Sequence, residues 1–284
     1  SYAACLQGEE LNDEIVQYVQ FSEWQNELLE DEAAETGKNY WKQQDLSNLA
    51  ALKLPFENPS FGKTKFQPGC CTCEINSDMA EKIEALVQKY DTSSDLFFLA
   101  CWQILLWRLT GETDIIIGTG CDRREYEELQ DALGLFAIWL PIHCRLAPEL
   151  RFWEVLELVN KAKENAEEWQ DYFVSEVAFF PFGFEFEQSQ SECFAGGVLF
   201  SIYHKFTCIE PFKVKLTCTR DQNSLKLAFH YDKNCYSAEA IARLAGEFET
   251  LLAGAIENPE TAIAQLEILS QSERQQLLVF NHTK

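Results

Sequence analysis

Leu96-Phe97-Phe98-Leu99-Ala100-Cys101-Trp102-Gln103-Ile104-Leu105-Leu106-Trp107-Arg108-Leu109, followed after Thr110-Gly111-Glu112-Thr113-Asp114 by Ile115-Ile116-Ile117-Gly118, decides the fold. The first run predicts a helix from about Asp95 to Leu109 that is apolar nearly all round, so it must be buried. Gly111 stands where a left-handed residue would end it. The β-branched run that follows is what a strand covered on both faces requires. A buried helix feeding a buried strand implies layers.

Working outward, Cys70 to Ile75 reads as a short strand. The next helix is expected to have Ser77 or Asp78 as its N-cap and to carry Met79, Ile83, Leu86 and Val87 on one face. Phe136 to Leu146 reads as a strand ended by Pro148. A long amphipathic helix from Phe152 then turns Val155, Leu156, Val159, Ala162, Ala166 and Trp169 inward. Phe182, Phe184 and Phe186 alternate with Gly183 and Glu185, the period of a half-buried strand. Val214, Leu216 and Cys218 alternate with Lys213, Lys215 and Thr217. Past the polar turn Asp221–Ser224, alternation resumes at Leu225, Leu227, Phe229 and Tyr231, which predicts a hairpin. Ser237 caps a helix running toward Pro259, and Ser270-Gln271-Ser272-Glu273 is a capping-box pattern. Upstream, residues 1–40 look helical and acidic, with Ile15, Tyr18, Val19, Phe21, Trp24, Leu28 and Leu29 as an apolar stripe. Residues from Tyr40 to Pro68 look like an extended connector. The expected fold class is α/β: a two-layer mixed β-sheet with helices packed on it, preceded by a helical connector over 1–65, with the main lobe over 66–284.

Composition limits the function. Of 284 residues, 46% are hydrophobic, and 23 Lys plus Arg face 46 Asp plus Glu, a formal charge of −23. A nucleic-acid binder needs a basic face to displace phosphate counterions, so no nucleic-acid partner is expected. No uncharged apolar run approaches the roughly 18 residues of a spanning helix, so no membrane partner is expected either. Ser1-Tyr2-Ala3-Ala4 lacks the basic start of a signal peptide. Eleven scattered cysteines read as reduced thiols, and the expected location is cytoplasmic.

None of the four histidines, His143, His204, His230 and His282, lies close to another in sequence. His230 falls on the polar side of a strand, where a solvated or hydrogen-bonded role is the plain reading, whereas His143 could point into a cleft. Cys70-Cys71-x-Cys73 has no second ligand pair for zinc, and alternation sends Cys71 and Cys73 to one face, so these read as core thiols. Neither a G-x-S-x-G turn nor a phosphate-cradling glycine loop occurs, and Gly118-Thr119-Gly120 lacks a third glycine. The residues alone display no self-sufficient catalytic constellation and no metal site.

Six segments in order resemble the condensation domains of non-ribosomal peptide synthetases, acyltransferases related to chloramphenicol acetyltransferase. Tyr18-Val19-Gln20-Phe21-Ser22-Glu23-Trp24 is similar to that family's Y-x-D-Y-A-x-W, and Tyr40-Trp41-Lys42 to its Y-W-[RK]. Leu96 to Thr119 resembles a buried helix running into its R-x-S-G-x-x-D-h-h-h-G-T, where h is apolar. Leu133-Gly134-Leu135-Phe136 with Leu140-Pro141 is similar to I-G-x-F-V-N-T-L-P, and Gln170-Asp171-Tyr172 to Q-D-Y. The stretch from Leu269 to Leu278, with Asn281-His282-Thr283, looks like an exit toward an adenylation domain.

The resemblance implies a CoA-dependent acyltransferase-like lobe that forms one wall of a tunnel. Amide formation there would join groups tethered to carrier proteins by phosphopantetheine arms. It implies tunnel-facing positions at Phe136, Ile138 and Trp139, and carrier docking at Arg123, Arg124 and the lysines around Lys213. Partners would be an N-terminal condensation lobe, acyl and peptidyl carrier proteins and a downstream adenylation domain, with no cofactor bound directly. The family's H-H-x-x-x-D-G has no counterpart here and is expected upstream of Tyr18. Ile138 and Trp139 replace the Asn and Thr of F-V-N-T, and Phe173 replaces the Pro that follows Q-D-Y. R-D-x-S-R-N is absent or collapsed into Phe179-Phe180-Pro181-Phe182. An isoleucine offers neither donor nor acceptor to a tunnel wall. Both a catalytic lobe and a non-catalytic scaffold that binds a carrier protein or neighbouring domain therefore remain open, with an epimerisation or cyclisation relative as a third reading.

Overall fold

A computed structural model of the chain describes residues 2–8, 15–46, 49, 52–58, 65–124, 126–174, 180–189, 192–201, 212–221, 224–270 and 273–275. Its helices are α1 (Tyr2–Gln7), α2 (Tyr18–Glu30), α3 (Glu35–Gln43), α4 (Ser77–Lys89), α5 (Ser94–Thr110), α6 (Phe152–Glu168) and α7 (Ala238–Glu257). Its strands are β1 (Pro68–Ile75), β2 (Asp114–Asp122), β3 (Ala137–Arg145), β4 (Phe182–Gln188), β5 (Cys193–Ala195), β6 (Val198–Phe200), β7 (Val214–Asp221) and β8 (Ser224–Asp232). A six-stranded sheet has the order β1-β8-β7-β4-β2-β3, and β5 and β6 form a separate pair. β4 runs parallel to both β2 and β7, and the remaining pairs of the large sheet are antiparallel. The mixed α/β architecture expected from sequence is present.

α5 fulfils its pattern: Leu96 through Leu106 are all buried, and Gly111 caps the helix with φ +74°, a left-handed conformation that costs glycine nothing. Its indole Trp102 lies edge-on to Phe182, Phe229 and Phe248, which ties helix α5 to β4, β8 and α7. Helices α4 to α7 pack on one face of the sheet in a single continuous core. Ile115 and Ile117 point into that core, whereas Ile116 points to the other face, against Leu49, Phe180 and Phe212. The strand is thus covered on both sides, as its continuous β-branched run requires.

Other expectations shift by a residue or change character. Helix α4 is capped by Asn76, whose Oδ1 accepts from the Met79 amide at 2.8 Å, so the helix begins one position before the predicted Ser77 or Asp78 cap. Ser237 does cap α7, accepting from the Ala240 amide at 3.2 Å. The β7–β8 register confirms the hairpin, with Asp221 opposite Ser224; the turn residues between them lie outside the described residues. The capping box at Ser270 is made, with Glu273 accepting from Ser270 and Ser270 Oγ accepting from the Glu273 amide. Of the amino-terminal stripe, Phe21 is buried while Ile15 and Val19 remain exposed. Cys71 and Cys73 pack against the core as expected, but Cys70 is exposed.

Two segments read as polar or irregular are instead anchored. Trp41 Nε1 donates to the Trp169 carbonyl at 2.7 Å, which fixes α3 to the end of α6. The connector buries Leu49, Leu52 and Leu54. There Lys213 Nζ lies 2.7 Å from Glu57 Oε1 and donates to the Leu52 carbonyl at 3.3 Å. Tyr236 donates to Glu57 Oε2 at 3.0 Å. Both side chains of that ion pair are nearly sealed from solvent, at 5% and 10% exposure.

Candidate functional site

Among the described residues, helices α4 to α7 lie on one sheet face, and polar chemistry gathers on the other. Its residues follow from strand period and register: Trp139 stands opposite Gly120, Gly118 opposite Gly183, Gly183 opposite Lys215 and Lys215 opposite His230. Above this row lies a groove of about 320 Å³ lined by Gly120, Ile138, Trp139, Glu185, Lys215 and His230, with Phe66, Phe186 and Phe212 at its sides.

Lys215 and Glu185 fix one another. Lys215 Nζ lies 2.9 Å from Glu185 Oε2 and sits 5.5 Å from the Trp139 ring centroid, on the aromatic face that attracts a cation. Trp139 packs edge-on to Phe212 at 4.7 Å. Burial, and secondarily the Lys215 charge, lower the His230 pKa against a raising influence from Glu187, so the imidazole is neutral near pH 7. Glycines shape the floor in two ways. A Cβ at Gly118 would meet Phe180 Cγ at 2.6 Å, and one at Gly183 would meet Phe212 Cε1 at 2.7 Å, so aromatic rings already occupy those spaces. At Gly120 a Cβ would make ordinary van der Waals contact with the Trp139 indole at 3.7 Å and Glu185 Oε1 at 4.0 Å, and the position lines the groove.

The structure brings together only part of the residues predicted for the site. Ile138 and Trp139 line the groove. Phe136 does not: it precedes β3, is fully buried, and packs against Phe21 at 4.8 Å and Tyr18 at 5.3 Å. A ring enclosed between α2 and the 126–136 loop cannot face a tunnel. Arg123, expected on a docking surface, is also buried. Its Nε donates to the Phe136 carbonyl at 3.2 Å and its guanidinium lies 5.2 Å from the Phe21 ring, because a loop with few internal hydrogen bonds needs donors for its carbonyls. Arg124 is engaged as well, with Asp122 at 3.0 Å and the Ala132 carbonyl at 3.3 Å. Lys213 and Lys215 are buried in ion pairs and are not surface cations.

His143 lies apart from the groove, on β3, with Nε2 at 3.1 Å from Asp114 Oδ1 beside a hollow against α6. A hydrogen bond from Thr113 leads the lowering of the Asp114 pKa, helped by His143. His204 and His282 lie outside the described residues, as does Phe179. Glu185, Lys215 and His230 were missed because polar residues alternating with apolar ones read as a solvated strand face. The signal was present in Gly118, Gly120 and Gly183, since glycine inside a strand marks close approach of another group.

A family model described as the condensation domain matches residues 1–278. The chain belongs to the condensation-domain family. This condensation domain is 28% identical over 298 residues to bacitracin synthase 2 of Bacillus licheniformis, a match covering 100% of the chain and 11% of that protein. It is 26% identical over 297 residues to gramicidin S synthase 2 of Aneurinibacillus migulanus, covering 99% of the chain and 7% of that protein. The domain thus spans about a tenth or less of these curated relatives. Among solved structures, the X-domain in complex with OxyB from teicoplanin biosynthesis superposes with TM-score 0.76 at 20% identity, over 95% of this chain and 65% of that one. The first condensation domain of the calcium-dependent antibiotic synthetase, bound to a substrate analogue, gives 0.71 at 15% identity, over 95% and 61%. At these identities the likeness establishes the fold. Among the described residues, no helix is long and apolar enough to cross a membrane.

Proposed function

We propose that this chain is the C-terminal lobe of a non-ribosomal peptide synthetase condensation domain, and that its helix-free groove is one wall of the chamber in which an amide bond forms. The substrates on this reading are acyl and aminoacyl groups on the phosphopantetheine arms of carrier proteins. The amine nitrogen attacks the thioester carbonyl, the C–N bond forms, the C–S bond breaks and the sulfur leaves on its own arm. The proton lost by nitrogen goes to a base that this chain does not supply, since no two of its histidines are adjacent in sequence. That base belongs to an H-H-x-x-x-D-G in an N-terminal lobe. The part played here is positional: holding tethered reactants in line lowers the entropic barrier of a bimolecular step.

The carrying observation is the groove itself, on the sheet face opposite helices α4 to α7, where Trp139 pairs with Gly120 on one rung, Lys215 with His230 on a neighbouring one, and Glu185 reaches Lys215 between them. An adenylation domain following the chain and a cytoplasmic setting complete the proposal. A scaffold reading, in which the domain binds a carrier protein without chemistry, draws support from Ile138 and Trp139, which place no hydrogen-bonding carboxamide or hydroxyl where the family has Asn and Thr.

The test is a mixture of two loaded carrier proteins with the domain joined to an N-terminal lobe bearing H-H-x-x-x-D-G, read by mass spectrometry for the peptidyl thioester. Product that disappears when the second histidine of that motif is changed to alanine supports the catalytic reading. Carrier binding without product supports the scaffold. Product from residues 1–284 alone contradicts the division of labour.

A further inference from the structure

The groove has a property beyond being a wall: its charges cancel internally, and one acceptor is left facing the open space. Glu185 Oε2 is taken by Lys215, whereas Oε1 lies 4.0 Å from the position a Cβ on Gly120 would occupy, and no hydrogen bond to it is made among the described residues. Lys215 is the more deeply set partner, with 8% of its side chain exposed against 28% for Glu185. A guest cation would have to share Glu185 with an ammonium already at 2.9 Å. A guest anion would meet the Glu185 carboxylate before reaching the lysine behind it. Either case buries a charge without a free counter-charge, which is costly. Asp122, which also lines the groove, is held by Arg124 at 3.0 Å, the Trp139 and Phe212 rings supply the aromatic surface, and the volume of about 320 Å³ suits a single large side chain and the start of its tether.

Resting on the function proposed above, we infer that the space over Gly120 is a specificity pocket for a substrate residue with a neutral aromatic side chain that carries a hydrogen-bond donor, a phenol or an indole. The ring packs against Trp139 and Phe212, where edge-to-face contacts add to area burial. The O–H or N–H donates to Glu185 Oε1, a charge-assisted bond. Gly120 is what keeps the space available. Unlike Gly118 and Gly183, where a Cβ would clash with an aromatic ring, Gly120 would place a Cβ in ordinary contact with Trp139 and Glu185 at the wall of the groove, so a larger side chain there would take up groove volume.

The experiment titrates the full chain by calorimetry with unreactive N-(2-acetamidoethyl) amides of tyrosine, phenylalanine, leucine, lysine and glutamate, which mimic the end of a pantetheine-tethered residue. Tyrosine amide is expected to bind about tenfold tighter than phenylalanine amide, the value of one hydrogen bond to a charged acceptor, and more tightly still than the lysine and glutamate amides. Gly120→Val fills the opening with a residue that strands accept, and is expected to weaken tyrosine amide by at least about tenfold with the circular-dichroism melt unchanged. Glu185→Gln should bring tyrosine amide to the affinity of phenylalanine amide. Because Glu185→Gln leaves Lys215 without its partner, Gly120→Val is the decisive variant. Lysine or glutamate amide binding as tightly as tyrosine amide, or unchanged tyrosine affinity in Gly120→Val, overturns the inference. Its failure is separable from that of the proposed function: a complete domain that makes peptide with no aromatic preference sinks only the pocket, and one that selects tyrosine amide but makes no peptide sinks only the catalysis.

Discussion

Lys213→Met and Glu57→Leu, singly and together, probe the anchoring of the connector on the sheet. At 2.7 Å and an effective dielectric near 20, the Lys213–Glu57 attraction is about 6 kcal/mol, against a desolvation cost of several kcal/mol for each ion. The pair therefore adds little net stability, yet removing one partner strands the other charge in a site with at most 10% exposure. Each single substitution should cost about 3–5 kcal/mol. The double variant should cost only about 1–3 kcal/mol, chiefly because the Tyr236 hydroxyl loses its acceptor. The coupling energy should thus be about 3 kcal/mol or more, far above the few tenths expected of independent sites. Urea unfolding followed by tryptophan fluorescence and far-ultraviolet circular dichroism measures all four proteins. Single variants should melt roughly 10 °C lower. A double variant as unstable as the sum of the two singles would falsify the claim that these groups compensate one another.

Further expectations rest on the same coordinates. Gly118→Ala should destabilise by about 1–3 kcal/mol because the new methyl meets the Phe180 ring, whereas Gly120→Ala should shift the thermal midpoint little. By proton NMR, His230 should titrate below the usual histidine value of about 6.5. Since its folded pKa is lowered, the unfolded chain binds the proton more readily. Stability is then full above about pH 6.5 and falls as pH drops toward the folded pKa, a loss His230→Gln should remove. Cys144, whose thiol burial pushes up to about 12, and the fully buried Cys101 and Cys218 should resist a disulfide reagent at pH 8 until urea unfolds the chain, while exposed Cys5 and Cys193 react at once.

The layered fold was legible because hydrophobic period reports burial directly. The uninterrupted apolar surface of Leu96–Leu106 can only be satisfied inside, and Ile115-Ile116-Ile117 needs cover on two sides. The site was less legible for a related reason. Lys213, Lys215 and Thr217 alternate with apolar residues as a solvated face would, and sequence carries no sign that Glu57 and Glu185 come from distant segments to neutralise the lysines. Arg123 misled in the same manner, since a guanidinium flanked by acidic residues reads as exposed until its carbonyl acceptor at Phe136 is known. The motif places Phe136 in a strand, but β3 begins only at Ala137 and the ring packs against Phe21 instead. Trp139 and Ile138, inside that strand, line the groove.

The burial of Leu49 against Ile116 and Phe212, of Leu52 and Leu54 in the main core, and of Glu57 against a lysine next to β7 bears on where this polypeptide can be cut. A truncation beginning at residue 66 would keep every strand of the large sheet, yet it would uncover Ile116 and Phe212 and remove the Glu57 carboxylate from the Lys213 ammonium. The cooperative unit therefore starts well before the first strand. Swapping such a module between assembly lines calls for a junction upstream of Leu49, so that the strap travels with the sheet it seals.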